Sequence, residues 1–598
     1  MCGIVGYIGT KRRPSEELVE ALKFLEYRGY DSAGIATRTP DGFVLEKAEG
    51  RISNLEQKIN RERMASMGIA HTRWATHGEP SEYNAHPHVS ENDEWVLVHN
   101  GIVDNFGEIK QALINEAVRF VSQTDTEVAV QLLARSHEEN KLFALIDTCS
   151  RLRGSWAFAC MNKRDADRMY LARKKSPLYV AIYDGEVFVA SDPICFNSKA
   201  QEYYSLEDDE FCSASSEGLH FYNALKEEIS KNSIPMDKFD VDCDKADYEF
   251  YMEKEIAEVP HALSRVAKTY ADNNVFEYFT KENLEKYNRV HIIGCGTAYH
   301  AGLMGAKYIQ KFARIEANAF VASEYRYSDP IIDEKTLCIF VSQSGETADT
   351  LAALELARSK GAKIVALTNV LYSTIAKNAE IIFPVCAGPE IAVASTKAYT
   401  CQIAAFYLFA SHLRSVLTGE EDLSTAKLMD LSKRMKMPGR YDFGDLVDEL
   451  AKEEKVFFIG RDRDYITAEE ASLKLKEITY INSSAYPSGE LKHGFLALIE
   501  KGTFLFVDAT NRDLLDKTIN GAHEASCRGA RLVVVSQLDI PKEQLQDVYL
   551  TIKLPSEEED LMPIVSIGVF QMLAFLVSEK KGLNPDKPRN LAKSVTVD

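Results

Sequence analysis

The sequence predicts a layered α+β domain followed by two copies of a parallel α/β domain. Three observations lead to this prediction. Short strands and helices alternate over the first 235 or so residues, strand–loop–helix units follow one another from about residue 288, and this second region repeats itself at an offset of 166 to 168 residues. At about 150 residues per domain, a chain of 598 residues is long enough for this arrangement.

The N-terminal region contains short segments of β-rich composition bounded by turn residues. Two other segments, Ser15–Leu25 and Thr126–Ser136, have helical spacing, and Ser15 is placed to cap the first of them. Strands and helices mixed in this way are typical of an α+β layered domain. The predicted strands are Trp95–His99, Arg168–Ala172, Leu178–Tyr183 and Glu186–Ala190.

The internal repeat is visible in four pairs of strands. The segment Val290–Ile293 precedes Gly294, and 166 residues later Val456–Ile459 precedes Gly460. Nearly constant spacing of this kind indicates two copies of one domain. The other matched strands are Cys338–Val341 with Phe504–Val507, Lys363–Leu367 with Arg531–Val535, and Glu380–Phe383 with Val548–Thr551.

Composition shifts give the domain boundaries. The apolar pattern lapses around Asp237–Tyr248, which predicts a linker, and Phe250–Phe279 is then predicted to be helical. The last residues lack the period of a helix or a strand. The predicted organisation is an N-terminal domain at 1–237, a linker at 238–249, a first α/β domain with its preceding helices at 250–445, a second at 446–583, and a tail at 584–598.

Charge and hydropathy argue against several classes of protein. The chain has 70 basic and 90 acidic side chains, a net charge of −20 and an isoelectric point near 5.3. This acidity argues against nucleic-acid binding and against a polybasic membrane anchor as the main function. The most apolar late segment, Met562–Val577, is interrupted by Pro563, Ser566 and Gln571 and falls short of a membrane span.

The cysteines and the N-terminal segment predict the cellular compartment of the protein. Eleven cysteines are scattered without CxxC pairs, which fits neither a disulfide framework nor a zinc site and is typical of a reducing cytosol. The chain begins apolar, from Met1 to Ile8, and then turns basic, which is the reverse of a secretory signal. We therefore expect a soluble cytoplasmic protein with no nucleic-acid or membrane partner.

Cys2 is the first candidate catalytic residue. Removal of Met1 would leave a thiol beside a free α-amine. Such an amine has a pKa of about 7.7–8.0 and can accept a thiol proton near neutral pH without a histidine. Taken alone, a cysteine at the second position is more often accidental.

Several sequence motifs follow one another along the first domain, beginning at Cys2. Together they resemble the class II glutamine amidotransferases, a family of N-terminal-nucleophile hydrolases, over the whole first domain. The resemblance implies an N-terminal-nucleophile fold in which Cys2 hydrolyses the amide of glutamine. The motifs are CGIVG (2–6), LEYRGYDSAG (25–34), HTRWATHG (71–78), NAHPH (84–88), HNGIVDN (99–105) and SQTDTE (122–127).

The resemblance also assigns the groups that glutamine hydrolysis requires. An amide under attack becomes an oxyanion and needs fixed hydrogen-bond donors, which the family takes from Asn100 and the backbone N–H of Gly101. An arginine grips the substrate α-carboxylate and a carboxylate receives the α-ammonium. The implied glutamine-binding residues are Arg73, Trp74, Thr76, His77 and Asp125.

A histidine-rich zinc site is the alternative interpretation of the same segment. His71, His77, His86 and His88 lack the i, i+4 spacing of helical metal ligands, and no acidic ligand lies in register with them. We therefore expect no metal.

The first α/β repeat contains a candidate phosphate site. Gly294–Thr297 follows a strand, but Tyr299 occupies a position where a dinucleotide fingerprint needs a small residue. The next strand ends in SQSGET (342–347), whose hydroxyls and helix N-terminus form an anion cradle. A helix cap would explain any one of these hydroxyls, but three within six residues exceed what capping needs.

This loop resembles the sugar-phosphate loop of the sugar isomerase (SIS) domain, and VAST (393–396) resembles its companion loop. The fold class expected for the C-terminal half is therefore two parallel-sheet α/β SIS domains. The implied sugar-phosphate-binding residues are Cys295, Gly296, Thr297, Ser342, Gln343, Ser344, Thr347, Val393, Ala394 and Ser395.

The second repeat has DATNRD (508–513) at the equivalent loop, whose carboxylates would repel a phosphate, so we expect no second phosphate site. It contributes other residues. Lys474 and Glu477 share a helix face, which alone is usually a solvated ion pair. The family resemblance makes Glu477 the base that moves a proton between sugar carbons 1 and 2, Lys474 its assistant, and His493 the residue for ring opening, supplied by the neighbouring subunit.

Over its whole length the chain resembles the glucosamine-6-phosphate synthase family. The resemblance implies that glutamine and fructose 6-phosphate are the substrates, that Lys593 of the tail forms a Schiff base with the open-chain ketose, and that Trp74 gates an enclosed ammonia path. It also implies a homodimer and no metal or organic cofactor. Ala298 stands where a hydroxyl residue is common in the family, and this is expected to alter sugar contacts slightly.

Two alternatives stay open at this point. Other class II amidotransferases make phosphoribosylamine or asparagine, but their acceptor domains do not resemble a duplicated SIS fold. A sugar-phosphate sensor would need a DNA-binding helix-turn-helix, which the sequence does not show, and it would leave Cys2 unexplained.

Overall fold

The computed structural model describes residues 2–26, 29–75, 77–196, 199–236, 245–435, 441–545 and 548–596. The chain forms two compact units, residues 1–239 with 594–598, and residues 240–593. The boundary between them falls in 237–244, outside the described residues, as does more than half of the predicted linker at 238–249.

The first unit contains two antiparallel sheets. The eight-stranded sheet has the order β15-β11-β9-β10-β1-β4-β2-β3, and the seven-stranded sheet has the order β14-β13-β12-β8-β7-β6-β5. The strands are β1 (Gly3–Ile8), β2 (Ser32–Thr39), β3 (Gly42–Glu49), β4 (Met67–Arg73), β5 (His88–Val89), β6 (Trp95–Val103), β7 (Gly154–Asn162), β8 (Arg168–Lys174), β9 (Tyr179–Tyr183), β10 (Glu186–Ala190), β11 (Glu202–Ser205), β12 (Glu210–Ser215), β13 (Gly218–Asn223), β14 (Glu228–Ile229) and β15 (Ile234–Pro235).

Three apolar clusters arrange this unit in four layers. Ile4 and Ile69 of the first sheet pack against Val98 and Ala159 of the second. Helices cover the outer face of each sheet, so strands such as β1 are buried on both faces and are continuously apolar. The predicted α+β layered domain is confirmed. Its helices are α1 (Pro14–Lys23), α2 (Ile52–Glu56), α3 (Phe106–Asn115), α4 (Asp125–Leu133) and α5 (Lys141–Ser150).

The second unit contains two five-stranded parallel sheets with the same strand order, β17-β16-β18-β19-β20 and β22-β21-β23-β24-β25. The predicted duplication is therefore confirmed. The strands are β16 (Arg289–Gly294), β17 (Glu316–Val321), β18 (Thr336–Ser342), β19 (Lys363–Thr368), β20 (Ile381–Pro384), β21 (Lys455–Gly460), β22 (Asn482–Pro487), β23 (Phe504–Asp508), β24 (Arg531–Ser536) and β25 (Val548–Lys553).

Helices surround both parallel sheets. The helix Met562–Lys580 is long and apolar enough to cross a membrane by length and composition, but 89% of its apolar window is buried within the fold, as in a core helix. The helices are α6 (Tyr251–Ala257), α7 (Val259–Asp272), α8 (Lys281–Leu284), α9 (Thr297–Ala313), α10 (Ala322–Tyr325), α11 (Ala348–Ser359), α12 (Thr374–Lys377), α13 (Lys397–Thr418), α14 (Ser424–Arg434), α15 (Leu446–Leu450), α16 (Arg463–Thr479), α17 (Leu515–Ser526) and α18 (Met562–Lys580).

Two local predictions were wrong. Ser15 does not cap α1, because Pro14 starts the helix after Arg13 and places Ser15 inside the first turn. The predicted helix over Phe250–Phe279 is two helices, α6 and α7, and it ends at Asp272, since an Asn pair follows and Asn274 has a φ of 47°.

Candidate active sites

The first site forms where β1 and β4 lie side by side. Gly3 pairs with Thr72 across the antiparallel ladder, so Cys2 comes next to the residues that follow β4. The Cys2 Sγ accepts a hydrogen bond from the Trp74 N–H at 3.3 Å and contacts the Trp74 carbonyl at 3.6 Å. Burial raises the pKa of the Cys2 thiol, while the hydrogen bond from Trp74 and the charge of Arg73 act in the opposite direction.

Asn100 and Gly101 lie on β6, directly beside Cys2. The Asn100 Nδ2 donates to the Cys2 carbonyl at 3.0 Å. Gly101 has a φ of 127°, and a Cβ there would lie 2.2 Å from the Ser155 carbonyl oxygen, so only glycine fits. The strand therefore holds the Asn100 amide on the backbone of Cys2, with Gly101 as the next residue of the strand.

Two buried groups of opposite charge complete this site. The Arg73 guanidinium, 3% exposed, donates to the carbonyls of Gly78 at 3.0 Å and Glu79 at 3.3 Å. The Asp125 carboxylate, 4% exposed, lies in the first turn of α4 and accepts from the Val103 N–H at 2.8 Å. Electrostatic interactions couple Arg73 and Asp125 to Cys2.

The remaining predicted glutamine-binding residues lie on the loop after β4. The Trp74 ring makes an edge contact with Tyr30 at 5.8 Å between ring centroids. The His77 ring packs edge-on against Phe106 at 4.9 Å. Thr76 lies outside the described residues.

The neighbouring histidines form a buried hydrogen-bonded cluster. Burial lowers the pKa of His71 to about 3 and the pKa values of His86 and His88 well below the usual range. The His71 Nε2 contacts two acceptors, the Asn100 Oδ1 at 3.0 Å and the His99 carbonyl at 2.9 Å, so this nitrogen carries the proton. A neutral His71 therefore orients the Asn100 amide toward Cys2, a role that the sequence did not reveal.

The second site begins at the loop after β18. The Ser342 Oγ lies 3.0 Å from the Thr347 Oγ1 and accepts from the Gly345 N–H at 3.0 Å. The Ser344 Oγ accepts from the Glu346 N–H at 3.2 Å. The loop leads into the N-terminus of α11, where helix N–H groups and the helix dipole favour an anion.

Residues of both repeats meet near α9. Thr297 opens α9 after Gly296, and its Oγ1 lies 3.1 Å from both the Glu470 Oε1 and the Lys474 Nζ. The Lys474 Nζ also lies 2.6 Å from the Glu477 Oε2. Lys474 is fully buried, so this pair is not the solvated ion pair that helical spacing alone suggests.

The tail reaches the companion loop. The Lys593 Nζ forms a buried ion pair with the Glu390 Oε2, and the same oxygen accepts from the Ser395 Oγ at 2.9 Å. The Glu390 Oε1 accepts from the backbone N–H groups of Thr396 and Ala398. The pKa of Glu390 is lowered: burial acts to raise it, but the Lys593 charge and these hydrogen bonds act against burial.

The structure places the other predicted sugar-site residues on these same loops. Cys295 lies beside Thr350 at 3.9 Å between sulfur and Oγ1, and Gln343 is half-buried in the SQSGET loop. Val393 and Ala394 are buried, and the Val393 N–H donates to the Asp586 carbonyl at 2.9 Å.

His493 stands apart from this group. It ends a short 3₁₀ turn, Leu491–His493, and is exposed. Among the contacts of the described residues, none joins its ring to Glu477 or Lys474. The single chain therefore does not assemble the complete set of predicted isomerase residues.

Sequence reasoning missed Glu470, Glu390 and His300. The Glu470 carboxylate is fully buried and lies 2.7 Å from the His300 Nδ1. A signal for Glu470 was present, since it lies on the same face of α16 as Lys474 at i+4 and Glu477 at i+7. No comparable local pattern marks Glu390.

Family models of known domains match parts of both units. The family model of the glutamine amidotransferase domain matches residues 71–198, and the family model of the SIS domain matches residues 283–412 and 449–578.

Similar proteins match the chain from end to end. The glutamine–fructose-6-phosphate aminotransferases (isomerizing) of Clostridium tetani and Caldanaerobacter subterraneus are each 42% identical to it, with all of both chains covered. The solved C-terminal domain of the Francisella tularensis glucosamine-fructose-6-phosphate aminotransferase is 31% identical, with a TM-score of 0.52, and covers 58% of this chain and 100% of its own. Full-length relatives at this identity place the chain in one family: it belongs to the glutamine–fructose-6-phosphate aminotransferases (isomerizing).

Proposed function

We propose that this chain converts fructose 6-phosphate and glutamine into glucosamine 6-phosphate and glutamate. The observation that carries this proposal is that one chain contains two different sites. The first is a thiol flanked by an amide donor, a buried guanidinium and a buried carboxylate. The second is a hydroxyl-lined anion loop beside a buried Lys–Glu pair.

In the first unit, Cys2 attacks the side-chain amide of glutamine after Met1 has been removed. The free α-amine accepts the thiol proton, and Asn100 with the backbone N–H of Gly101 stabilises the oxyanion. Arg73 binds the substrate α-carboxylate and Asp125 its α-ammonium. The family resemblance implies Trp74, Thr76 and His77 as the other glutamine-binding residues. Both ionic contacts are strong because Arg73 and Asp125 are almost fully buried.

In the second unit, the SQSGET loop binds the phosphate of the sugar. Lys593 attacks carbon 2 of the open-chain ketose to form a Schiff base. Glu477, beside Lys474, moves the proton between carbons 1 and 2, and His493 of a neighbouring subunit opens the ring. Ammonia passes to the sugar along an enclosed path that Trp74 gates, because free ammonia in water becomes ammonium and loses its lone pair.

The remaining proposals concern the state of the protein in the cell. We place it in the cytoplasm as a homodimer without a nucleic-acid or membrane partner. The acidic composition argues against a nucleic-acid partner, and the cysteines scattered without CxxC pairs support a reducing compartment. The homodimer is what the family resemblance implies.

The test separates the two activities. Cys2→Ala removes the thiol, so glutamine hydrolysis should fall to background, while the fructose 6-phosphate isomerisation catalysed by the second unit should persist. Glutamate release and sugar isomerisation are measured on the same preparation of the full chain. Cys527→Ala is the matched control, since Cys527 is an exposed cysteine far along the sequence. Wild-type glutaminase activity in Cys2→Ala would refute the assignment of the nucleophile.

A further inference from the structure

A second buried carboxyl lies beside the Lys593–Glu390 pair. Glu255, on α6, is 2% exposed. Its Oε1 accepts from the backbone N–H of Ile391 at 2.5 Å and of Ala392 at 3.2 Å, so it lies against the chain that immediately follows Glu390. Its Oε2 is buried and has no hydrogen-bond partner among the described residues.

Other charged groups surround this carboxyl. Lys593 of the tail, Lys397 of α13 and Glu390, which precedes the companion loop, all act on it electrostatically. Glu258 on the following turn is bridged to Lys397 at 2.6 Å. The carboxylate of Asp586 accepts from the N–H groups of Tyr251 and Met252 at the start of α6.

We propose that Glu255 is a positioning residue for Lys593, which acts through Glu390 and controls whether Glu390 can take a proton from the lysine. This inference rests on the proposed Schiff-base role of Lys593. Glu255 is not one of the predicted sugar-binding residues, so the inference adds a further residue to the proposed reaction.

The proton balance requires a base beside Lys593, and Glu390 is that base. The buried lysine is an ammonium in its ion pair, and an ammonium has no lone pair with which to attack a carbonyl. One N–H bond breaks and the proton moves to the Glu390 Oε2. The nitrogen lone pair then forms a bond to carbon 2 of the open-chain ketose. The resulting carbinolamine takes the proton back from Glu390, releases water and becomes the iminium, so no proton is gained or lost overall.

The ionisation of Glu255 determines how easily this transfer occurs. An anion beside Glu390 increases the affinity of Glu390 for a proton, and an anion beside Lys593 holds the ammonium. Glu255 is hydrogen-bonded to the two residues that directly follow Glu390, so we take the first effect to be the larger one. Burial, followed by the charge of Glu390, raises the pKa of Glu255 to about 8. Lys593 should therefore become nucleophilic as Glu255 ionises.

The experiment traps the Schiff base. Full-length protein is mixed with fructose 6-phosphate and sodium cyanoborohydride between pH 6.5 and 9, and the initial rate of adduct formation on the Lys593 peptide is followed by mass spectrometry. In the wild type, one titrating group near pH 8 gives a rise of about tenfold from pH 7 to pH 9. In Glu255→Gln, the carboxyl is replaced by a neutral amide of the same shape, so the rise should be less than about twofold, with the KM for fructose 6-phosphate unchanged.

Glu258→Gln is the matched control. It removes one carboxylate from the same cluster but not the one beside Glu390, so it should retain the tenfold rise. If Glu255→Gln does not fold, Glu255→Asp replaces it. Asp keeps an ionisable group at a greater distance from Glu390, and it should keep the rise but change its midpoint.

The outcomes separate the two proposals. An absence of adduct on Lys593 in the wild type at every pH would overturn the Schiff-base role and this inference with it. An adduct in the wild type, with the same pH dependence in Glu255→Gln or Glu255→Asp, would overturn the role of Glu255 alone.

Discussion

Gly345, in the middle of the proposed phosphate loop, offers a direct test of that site. It has a φ of 67°, where an L-residue with a Cβ is strained by about 1 kcal/mol. A Cβ at this position would also lie 1.9 Å from the Ser373 Oγ and 2.4 Å from the Ser373 Cβ. Ser373 is fully buried and caps α12, so it cannot move aside freely.

Gly345→Ala should therefore displace the loop rather than Ser373. Relief of the contact requires a movement on the order of 1 Å, which is enough to break hydrogen bonds from Ser344 and Thr347 to a phosphate. A hydrogen bond to a charged group contributes about 1.5–3 kcal/mol, so the loss of one bond should raise the KM for fructose 6-phosphate by about tenfold or more. The assay is the steady-state KM, with glutamate release in the absence of sugar as a measure of the intact first unit.

Two companion variants separate sterics from backbone strain. Gly361 has a φ of 85°, and no atom lies within 4 Å of the position that a Cβ would take there, so Gly361→Ala has the strain without the collision and should leave the KM unchanged. Gly345→Ala combined with Ser373→Gly removes the colliding atoms and should restore most of the lost affinity. An unchanged KM in Gly345→Ala would show that the phosphate does not bind at this loop. No recovery in the double variant would show that the collision with Ser373 is not the cause of a raised KM.

Two further predictions follow. Burial raises the pKa of Asp464 to about 6, so the native state binds this proton more tightly than the unfolded chain does. The free energy of unfolding should therefore fall as pH rises from about 4 to 6. Asp464→Asn has no proton to lose, so it should avoid this fall and gain at most about 3 kcal/mol above pH 6. Thermal midpoints of both proteins at pH 4.5 and 7.5 check this, and a difference that does not grow with pH contradicts it. Inactive His493→Ala and Glu477→Gln chains, mixed after dissociation, should recover about a quarter of wild-type activity if His493 acts across a dimer. The reason is that half of the dimers are mixed, and each mixed dimer has one intact site of two. A mixture that stays inactive contradicts this.

The fold could be predicted from periodicity alone. The central strands of both parallel sheets are buried and largely apolar because helices cover both faces, and their matched spacing indicates the repeat. Element ends were less predictable. Pro14 starts α1 one residue before the serine that resembled a cap, since proline fits the first helical turn.

The first site was predictable because its residues belong to short motifs, whereas several residues of the second site were not. Glu390 and Lys593 lie 203 residues apart, and Thr297 and Glu470 lie 173 apart. Neither Glu390 nor Glu255 has a local pattern that distinguishes it from a surface glutamate, so only the fold reveals that both are buried. Similarly, His71 looked like a possible metal ligand, but its environment makes it a neutral donor to Asn100.

The duplicated fold bears on the proposal that only one of the two equivalent loops binds a sugar phosphate. Helix N-termini after parallel strands attract an anion, and both repeats have one. In the second repeat the Asp464 carboxylate of α16 occupies this position: it accepts from the N–H groups of Thr510 at 2.9 Å and Asn511 at 3.2 Å, and from the Thr510 hydroxyl at 2.6 Å. At the offset of 166 residues the first repeat has Ala298, which has no carboxylate to occupy the equivalent loop.

The difference between Asp464 and Ala298 is accompanied by a second difference, in the later turns of α16. Because Asp464 satisfies its own loop, the same helix needs no ligand there, and its later turns carry Glu470, Lys474 and Glu477 toward Thr297 of the first repeat. In the proposed function, one copy of the domain therefore supplies the phosphate loop and the other supplies the acid–base groups. The buried Lys474 lies between the carboxylates of Glu470 and Glu477, so the carboxylate that occupies the second loop and these ionisable groups all lie on the one helix α16.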